Sequence, residues 1–497
     1  MIEETVERYR TYLEKLRAYG HAAGLMYYDM NTVMPRGAAG VVGDTLGVLS
    51  EVMYDMITSP ETEATEREIL AHRDEVDPIL VRTAERAMEE RERIACIPKE
   101  EYVQYTIDQT AADNVWHEAK LKSDFAMFLP HLEKLIAAKK RFARYYKPDA
   151  PVYDTLLDEY EKGLNTETLD RFFKTVRERL VPVIAAIKEQ PDVGFLHRHY
   201  PIADQRVFSD YLMDVLGLDR KHCVIGETEH PFTTEFTKYD VRITTHYHED
   251  AVESSMYSVI HEGGHATYER GVADEIARTP LGRGVSMSVH ECQSRFFENI
   301  IGRSEPFIEA IFPRMREIFP EQLKDVTAHE FYVAVNKAEP SLIRTEADEL
   351  TYALHVMVRY ELEKRLFNGD LEAKDLPAEW NRLYKEYLGV DVPDDRRGVL
   401  QDSHWASGLF GYFPSYAIGS AYGAQLLKRM ERDIDVWSSV RAGDLKPVVA
   451  WLTEHIYRFG SIKEPVALME EVFGAPFDPT YFTDYLGKKF SALYHLG

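Results

Sequence analysis

Cysteine is scarce in this chain of 497 residues: there are three, Cys96, Cys223 and Cys292, odd in number and far apart. That excludes a disulfide framework and fits a reducing compartment. Basic charge is also in short supply, with 59 Lys and Arg against 84 Asp and Glu, a formal net charge of −25. A nucleic-acid binder needs a basic face to meet phosphates, so no such partner is expected. No apolar run approaches the ~20 residues of a membrane span. The opening residues, Met1-Ile-Glu-Glu-Thr-Val-Glu-Arg8, hold charges where a secretory signal needs apolar ones. Together these absences predict a cytoplasmic protein. A repeat of fixed period, a low-complexity tract and a Gly/Ser linker are missing too, which favours one unit over residues 1–497.

What is present is mostly helical pattern, well above the usual one-third or so of residues. Val6, Leu13, Leu16 and Tyr19 recur at helical spacing over residues 2–35, and Met34-Pro35-Arg36-Gly37 ends the run. Residues 41–75 read as a helical hairpin broken near Ser59-Pro60, and 79–146 as helix interrupted at Pro98. The strongest amphipathic piece is Leu121–Tyr146, with Phe125, Phe128, Leu129, Leu132 and Leu135 on one stripe; Pro130 inside it predicts a boundary or kink. Residues 165–189 form another helix, with Asn165 or Thr166 as its cap. Further helices are expected over 252–270, 286–302, 305–318, 321–335, 346–366, 377–388, 415–433, 436–442 and 446–457. Only 224–248 alternates in the manner of strands (Phe232-Thr-Thr-Glu-Phe236, then Tyr239-Asp-Val-Arg-Ile-Thr-Thr245), as a hairpin or three-stranded sheet. The fold class predicted is all-α with a small antiparallel sheet near 224–246. Residues 1 to about 200 would flank a cleft, and about 201–497 would form its floor and far wall.

The segment Val259-Ile-His-Glu-Gly-Gly-His-Ala-Thr-Tyr268 contains the H-E-x-x-H pattern. On a helix, His261 and His265 lie one above the other on one face, within reach of a single Zn²⁺, and Glu262 is placed to act as the general base. A surface helix with two solvated histidines would give the same letters. Tyr257, Val259, Ile260 and Ala266 argue instead for a buried helix, where an uncoordinated His pair is costly. Zinc needs a third protein ligand and one open position. Glu291, about thirty residues after His261 on a new helical run, would complete a His₂Glu set. His290 is its rival; adjacent residues on a helix point about a third of a turn apart, so only one of the two faces the metal. Such a site keeps a good Lewis acid, and Glu262 would take a proton from water and pass it to the leaving amine. Glu298, i+7 from Glu291, and Asp348 are candidates to orient the histidines.

Five further segments surround this one: His230-Pro231-Phe232, Asp240-Val-Arg242-Ile-Thr244, His290-Glu291-Cys292-Gln293, Ile343-Arg344-Thr-Glu-Ala347-Asp348 and Gly398-Val-Leu-Gln401-Asp402-Ser-His404-Trp405. In type and order the six resemble the HPF, DxRxT, HExxH, HES/GQ, I/LRxxAD and GxxQDxHW motifs of the carboxypeptidase Taq family of zinc carboxypeptidases. Tyr28–Pro35 and Tyr153–Tyr160 are similar in style, so the resemblance covers nearly the whole chain. Cys292 departs from it, standing where the family has Ser or Gly; a thiol beside the zinc and a small buried side chain are both readings of it. The resemblance implies a mostly helical, zincin-like peptidase with a deep central cleft and zinc at its floor, replaceable by Co²⁺, and a homodimer. It implies hydrolysis of single residues from peptides with a free C-terminus, broad in preference and poor beside proline.

An exopeptidase of this kind must hold a terminal carboxylate, for which an Arg fork is suited. Arg344, in the arginine motif, is the first candidate and Arg242 the second, with a structural partnership to Asp240 as the alternative for Arg242. The oxyanion needs a donor opposite the metal, for which Tyr416, Tyr412 and His404 are the candidates. His230 sits where a substrate backbone could add to the sheet, or it turns the chain before Pro231. Asp402 is expected to orient a neighbour and Trp405 to pack. A related helical dipeptidyl carboxypeptidase or oligoendopeptidase would use the same metal residues. A non-catalytic protein with a structural zinc would have no need of Glu262.

Overall fold

The computed structural model of the chain describes residues 2–496. Met1 and Gly497, the ends of the span read as one unit, lie outside the described residues. Helices occupy most of the chain before the sheet: α1 (Ile2–Thr32), α2 (Ala39–Thr58), α3 (Pro60–Ala71), α4 (Pro78–Ala95), α5 (Lys99–Lys122), α6 (Phe125–Tyr146), α7 (Val152–Asp158), α8 (Thr166–Ala186) and α9 (Ile202–Val215). The strands β1 (Cys223–Glu227), β2 (Thr233–Thr237) and β3 (Asp240–Thr245) follow. The remainder is α10 (Val252–Arg270), α11 (Met287–Arg295), α12 (Glu305–Ile318), α13 (Ala328–Val335), α14 (Tyr352–Asn368), α15 (Leu376–Leu388), α16 (Pro414–Met430), α17 (Val436–Arg441), α18 (Lys446–His455), α19 (Pro465–Phe473) and α20 (Thr480–Leu493).

The predicted breaks at Pro35, Ser59-Pro60 and Pro98 fall where helices end or begin. Ser59 accepts from the Thr62 amide with Pro60 in the first turn, the N-terminal arrangement a helix prefers. Asn165 caps α8 through the amide of Thr168. Pro130 is not a boundary: α6 runs through it. The break comes earlier, where Ser123 adopts a left-handed conformation (φ 54°) and Asp124 accepts from the Met127 amide to start α6. The run expected over 346–366 begins later, at Tyr352, because Asp348 holds the amides of Leu350 and Thr351 in a turn (2.9 and 3.0 Å). The expected 321–335 helix is reduced to α13, started by a capping box of Thr327 and Glu330.

The sheet is three-stranded, in the order β1-β3-β2, but it is mixed and not wholly antiparallel. β2 pairs antiparallel with β3 (Thr233 opposite Ile243), whereas β1 pairs parallel (Cys223 opposite Val241). The parallel pair arises because a long excursion, residues 228–239 with β2 inside it, returns the chain to β1 from the same end. Val241 and Ile243 of the central strand are fully buried.

One buried cluster extends from Ala112 on α5 to Phe490 on α20 and includes Val259, Ile260 and Ala266 of α10. A smaller one (Tyr9, Leu13, Ile69, Leu80, Ala84) joins α1, α3 and α4. α2 buries none of its side chains. No helix among the described residues is long and apolar enough to cross a membrane.

Candidate active site

α10 is buried on most of its circumference. Its glycine at 264 lets α11 lie against it: a Cβ there would stand 2.7 Å from Ser294 Cα and 2.8 Å from the Gln293 carbonyl. On the other side of α11, Gly419 of α16 gives equal room; its Cβ would meet Glu291 Cβ at 2.8 Å and the Cys292 amide at 2.9 Å. Two backbone-close contacts therefore hold α11 between α10 and α16, and they deliver Glu291 to the histidine face of α10.

There, His261, His265 and Glu291 offer nitrogen and oxygen atoms that all lie within 4.8 Å of one another. Glu291 Oε2 is 3.9 Å from His261 Nε2 and 4.0 Å from His265 Nε2. Donors about 2.1 Å from a tetrahedral metal stand roughly 3.4 Å apart, so this triangle closes on an ion with small side-chain rotations. The far nitrogens are occupied. His261 Nδ1 is 2.8 Å from Glu298 Oε2, and His265 Nδ1 is 2.9 Å from His290 Nδ1. Each ring therefore has its Nε2 turned toward the triangle, the arrangement a metal-binding histidine uses. This donor set fits a divalent ion. His290, the rival ligand, is engaged elsewhere: besides His265 it meets Glu269 Oε1 through Nε2 at 2.6 Å. Cys292 is fully buried, burial pushes its thiol up, and it is not among the clustered donors.

Glu298 is the orienting carboxylate anticipated for one histidine. It lies in a π-helical turn, Phe296–Ile301, that continues α11. Burial would raise its carboxyl, but Arg295, then His261 and Arg303, hold it well below the ordinary range. Asp348, the other anticipated carboxylate, does not reach a histidine and serves as a turn acceptor instead. Arg295 also donates to Glu291 Oε1 at 2.7 Å, leaving Oε2 for the triangle. Glu262 Oε2 accepts from Thr233 Oγ1 at 2.6 Å, tying the α10 carboxylate to the edge strand. Burial raises the Glu262 carboxyl, with His261 and the Thr233 hydroxyl opposing.

A second group is assembled around Asp402. Its Oδ1 accepts from Arg344 Nε (3.1 Å) and Nη2 (2.9 Å), and its Oδ2 from Arg359 Nε (2.8 Å) and Nη2 (2.6 Å). Arg344 also donates to the Tyr352 hydroxyl at 3.0 Å and lies 4.9 Å from the Tyr416 ring centre. Arg295 lies over the Tyr352 ring, 4.6 Å from its centre, so the two groups are linked through that tyrosine. Tyr416 Oη is 3.3 Å from His404 Nε2, and the Tyr412 ring is 5.3 Å from that of Tyr416. Burial raises both tyrosines and keeps their protons on, and the Glu291 carboxylate adds to this in each. Burial pushes His404 down to about 4, against the pull of Asp402.

Arg242, the second arginine candidate, is held by Asp240 through Nε and Nη2 (2.9 and 2.8 Å) and lies between the rings of Tyr28 and Phe236. His230 is exposed in the β1–β2 connection. Trp405 is buried and donates to Glu363 at 2.7 Å. Sequence reasoning missed Glu269, Arg295, Arg359 and Thr233. Two of these had a readable signal: Glu269 lies one turn beyond His265 on the same stripe, and Arg295 one turn beyond Glu291.

The model of the carboxypeptidase Taq (M32) metallopeptidases matches residues 8–490. The chain belongs to that family. It is 37% identical over 488 residues to "Carboxypeptidase 1" of Bacillus subtilis, covering 97% of both chains. It is 37% identical over 505 residues to "Thermostable carboxypeptidase 1" of Thermus thermophilus, covering 98% of this chain and 99% of the other. A crystal structure of an M32 carboxypeptidase from Deinococcus radiodurans R1 superposes with a TM-score of 0.96 at 33% identity, covering 99% and 100% of the two chains. The protein is thus a metallocarboxypeptidase, an enzyme that works with a divalent metal on peptides.

Proposed function

We propose that this M32 enzyme is a zinc carboxypeptidase that removes single amino acids from the C-termini of peptides with broad preference and little action beside proline. The observation that carries the reading is the triangle of His261, His265 and Glu291 with Glu262 beside it, since a structural site would have a fourth protein ligand and no spare carboxylate. Held there, the ion supplies Lewis acidity and makes water a better nucleophile at neutral pH; Co²⁺ suits the same donors. Glu262, aimed by Thr233, takes a proton from the attacking water and returns it to the departing amine. Tyr416 is the donor to the developing oxyanion, with Tyr412 and His404 beside it; Tyr416 keeps its proton and is aimed by His404.

Arg344 receives the terminal carboxylate. Its pairing with Asp402 does not cancel the charge needed, because that carboxylate is shared with Arg359 and the trio retains one net positive charge. Arg242 and His230 border the peptide's path along the sheet. Residues 1–497 act as one catalytic unit: the continuous core from Ala112 to Phe490 supports this for the larger part, and Arg82 and Arg86 of α4, which both pair with Glu464, tie the N-terminal helices to it. A homodimer in the cytoplasm completes the reading, in line with the family resemblance and with three unpaired cysteines; sedimentation velocity tests the dimer.

The decisive experiment follows a set of peptides by mass spectrometry, with free and amidated C-termini. Single-residue ladders from the free peptides and none from the amides are expected. Release of dipeptides, or equal cutting of the amides, would sink the proposal. Glu262→Gln should lower kcat by at least ~10²-fold with zinc content unchanged by elemental analysis; an active variant would remove Glu262 from its role.

A further inference from the structure

The two histidines of the triangle are held in different ways. His261 leans on a carboxylate directly (Glu298, 2.8 Å). His265 leans on a second imidazole, and that imidazole on a carboxylate: His265 Nδ1 to His290 Nδ1 is 2.9 Å, and His290 Nε2 to Glu269 Oε1 is 2.6 Å. An imidazole–imidazole hydrogen bond has a direction, because one nitrogen gives the proton and the other accepts it. If His290 donated to His265, the proton of His265 would sit on Nε2 and its lone pair would face away from the triangle. If His290 accepts, His265 carries its proton on Nδ1 and presents the Nε2 lone pair. Glu269 decides between the two. As a carboxylate it only accepts, so in a neutral His290 it draws the ring proton to Nε2 and leaves Nδ1 as an acceptor.

The surroundings keep this order. Glu269 is almost fully buried (1% exposed) and also accepts from the Gly284 amide at 2.9 Å. The loop at Gly284 closes on the His290 ring so tightly that a Cβ there would lie 2.4 Å from Nε2 and Cδ2. Tyr268 covers the ring, 5.0 Å centre to centre, and its hydroxyl accepts from the Val285 amide at 3.1 Å, which holds the same loop in place.

We propose that His290 and Glu269 are positioning residues that fix the tautomer of His265 and thereby set the affinity of the site for its metal, while neither binds the ion. This rests on the reading of His265 as a ligand. The variants His290→Phe, His290→Asn, Glu269→Leu and His265→Ala would be stripped of metal, and their zinc affinity measured by competition with a chromophoric chelator, with thermal melting as the check on folding. His290→Phe is expected to bind zinc about 10–100-fold more weakly. His290→Asn, whose side-chain carbonyl restores an acceptor near the Nδ1 position, should recover most of that loss. Glu269→Leu should give a smaller loss in the same direction, because His290 remains but its polarity is freed. Wild-type affinity in both His290→Phe and Glu269→Leu would overturn the relay, and Glu269→Leu alone decides if His290→Phe does not fold. Wild-type affinity in His265→Ala would instead overturn the reading of His265 as a ligand. A His290→Phe variant that binds no zinc, beside a His265→Ala variant that does, would make His290 the ligand and the proposal wrong.

Discussion

In two regions of this enzyme, glycines inside helices do opposite things. In the wall formed by α10, α11 and α16, Gly264 and Gly419 sit where neighbouring backbone leaves no room for a methyl group. In α2, Gly43 and Gly47 face open space: apart from the helix's own backbone, no atom of the described residues lies within 4 Å of where a Cβ would stand. The first pair brings a glutamate to two histidines; the second lies in a helix that buries none of its side chains. Charges divide in the same way. Near the wall, Asp402 holds two arginines that are 6% and 0% exposed. Between α1 and α3, Arg8 and Glu68 meet at 3.9 Å with both side chains well exposed. A residue type thus has no fixed meaning: what lies within 4 Å of it decides whether it is a constraint.

The largest contrast is expected from Asp402→Asn. Removing one partner of a buried charge group leaves two guanidinium ions under-compensated and costs about 3–5 kcal/mol, whereas an exposed pair such as Arg8–Glu68 is worth about 0–1 kcal/mol. Burial would raise the Asp402 carboxyl, but Arg359 and Arg344 hold it well below the usual carboxylate range. A depressed folded pKa adds stability that is present above the unfolded value, about 3.9, and is lost only as pH falls through the folded one. The gap between wild type and variant in urea midpoint should therefore be constant from pH 7 to about 4 and narrow below that. A gap of less than ~1 kcal/mol at pH 7 would put Asp402 with the surface pairs and break the contrast.

Gly264→Ala is next in size. The added methyl meets main-chain atoms of α11, which cannot swing aside as a side chain can. Overpacking of this kind costs about 1–3 kcal/mol. Because Glu291 travels with α11, metal content after dialysis against a weak chelator should fall along with the melting temperature. An unchanged melting temperature and full metal content would mean that the helices have slack at this crossing.

How far the sequence could foretell these features depended on whether the partners were close along the chain. His261, His265 and Glu262 are set by helical periodicity alone, and Glu298 by its seven-residue offset from Glu291. That Glu291 and not His290 faces the triangle depends on how α16 clamps α11 at Gly419, a contact more than 120 residues away in sequence. The Arg344–Asp402–Arg359 group is equally non-local, so Arg344 could be named but its partners could not. Some local signals were masked by stronger ones. The Ser123-Asp124 break was overrun by an apolar stripe read from Leu121, a residue that is 75% exposed and lies outside that stripe. α9 went unnoticed because its buried face includes Gln205 and Ser209; Gln205 donates to the carbonyls of Tyr200 and His248, both at 2.8 Å. The parallel β1–β3 pairing was hidden because alternation reports which face a residue occupies and not the direction of its neighbour.

The smallest effect is the most diagnostic, because its sign differs from the others. Gly47→Ala in α2 adds a methyl that touches nothing and replaces a poor helix former with the best one. The native backbone there is helical and needs no positive φ. The main consequence falls on the unfolded chain, which loses conformations it would otherwise regain. The variant should therefore be more stable by about 0.4–1 kcal/mol, with catalysis and metal content unchanged. The same substitution, glycine to alanine inside a helix, would then stabilise at 47 and destabilise at 264. Loss of stability at 47 would mean that another surface comes within 4 Å of this glycine in solution, and the open face of α2 would have to be counted among the constrained regions.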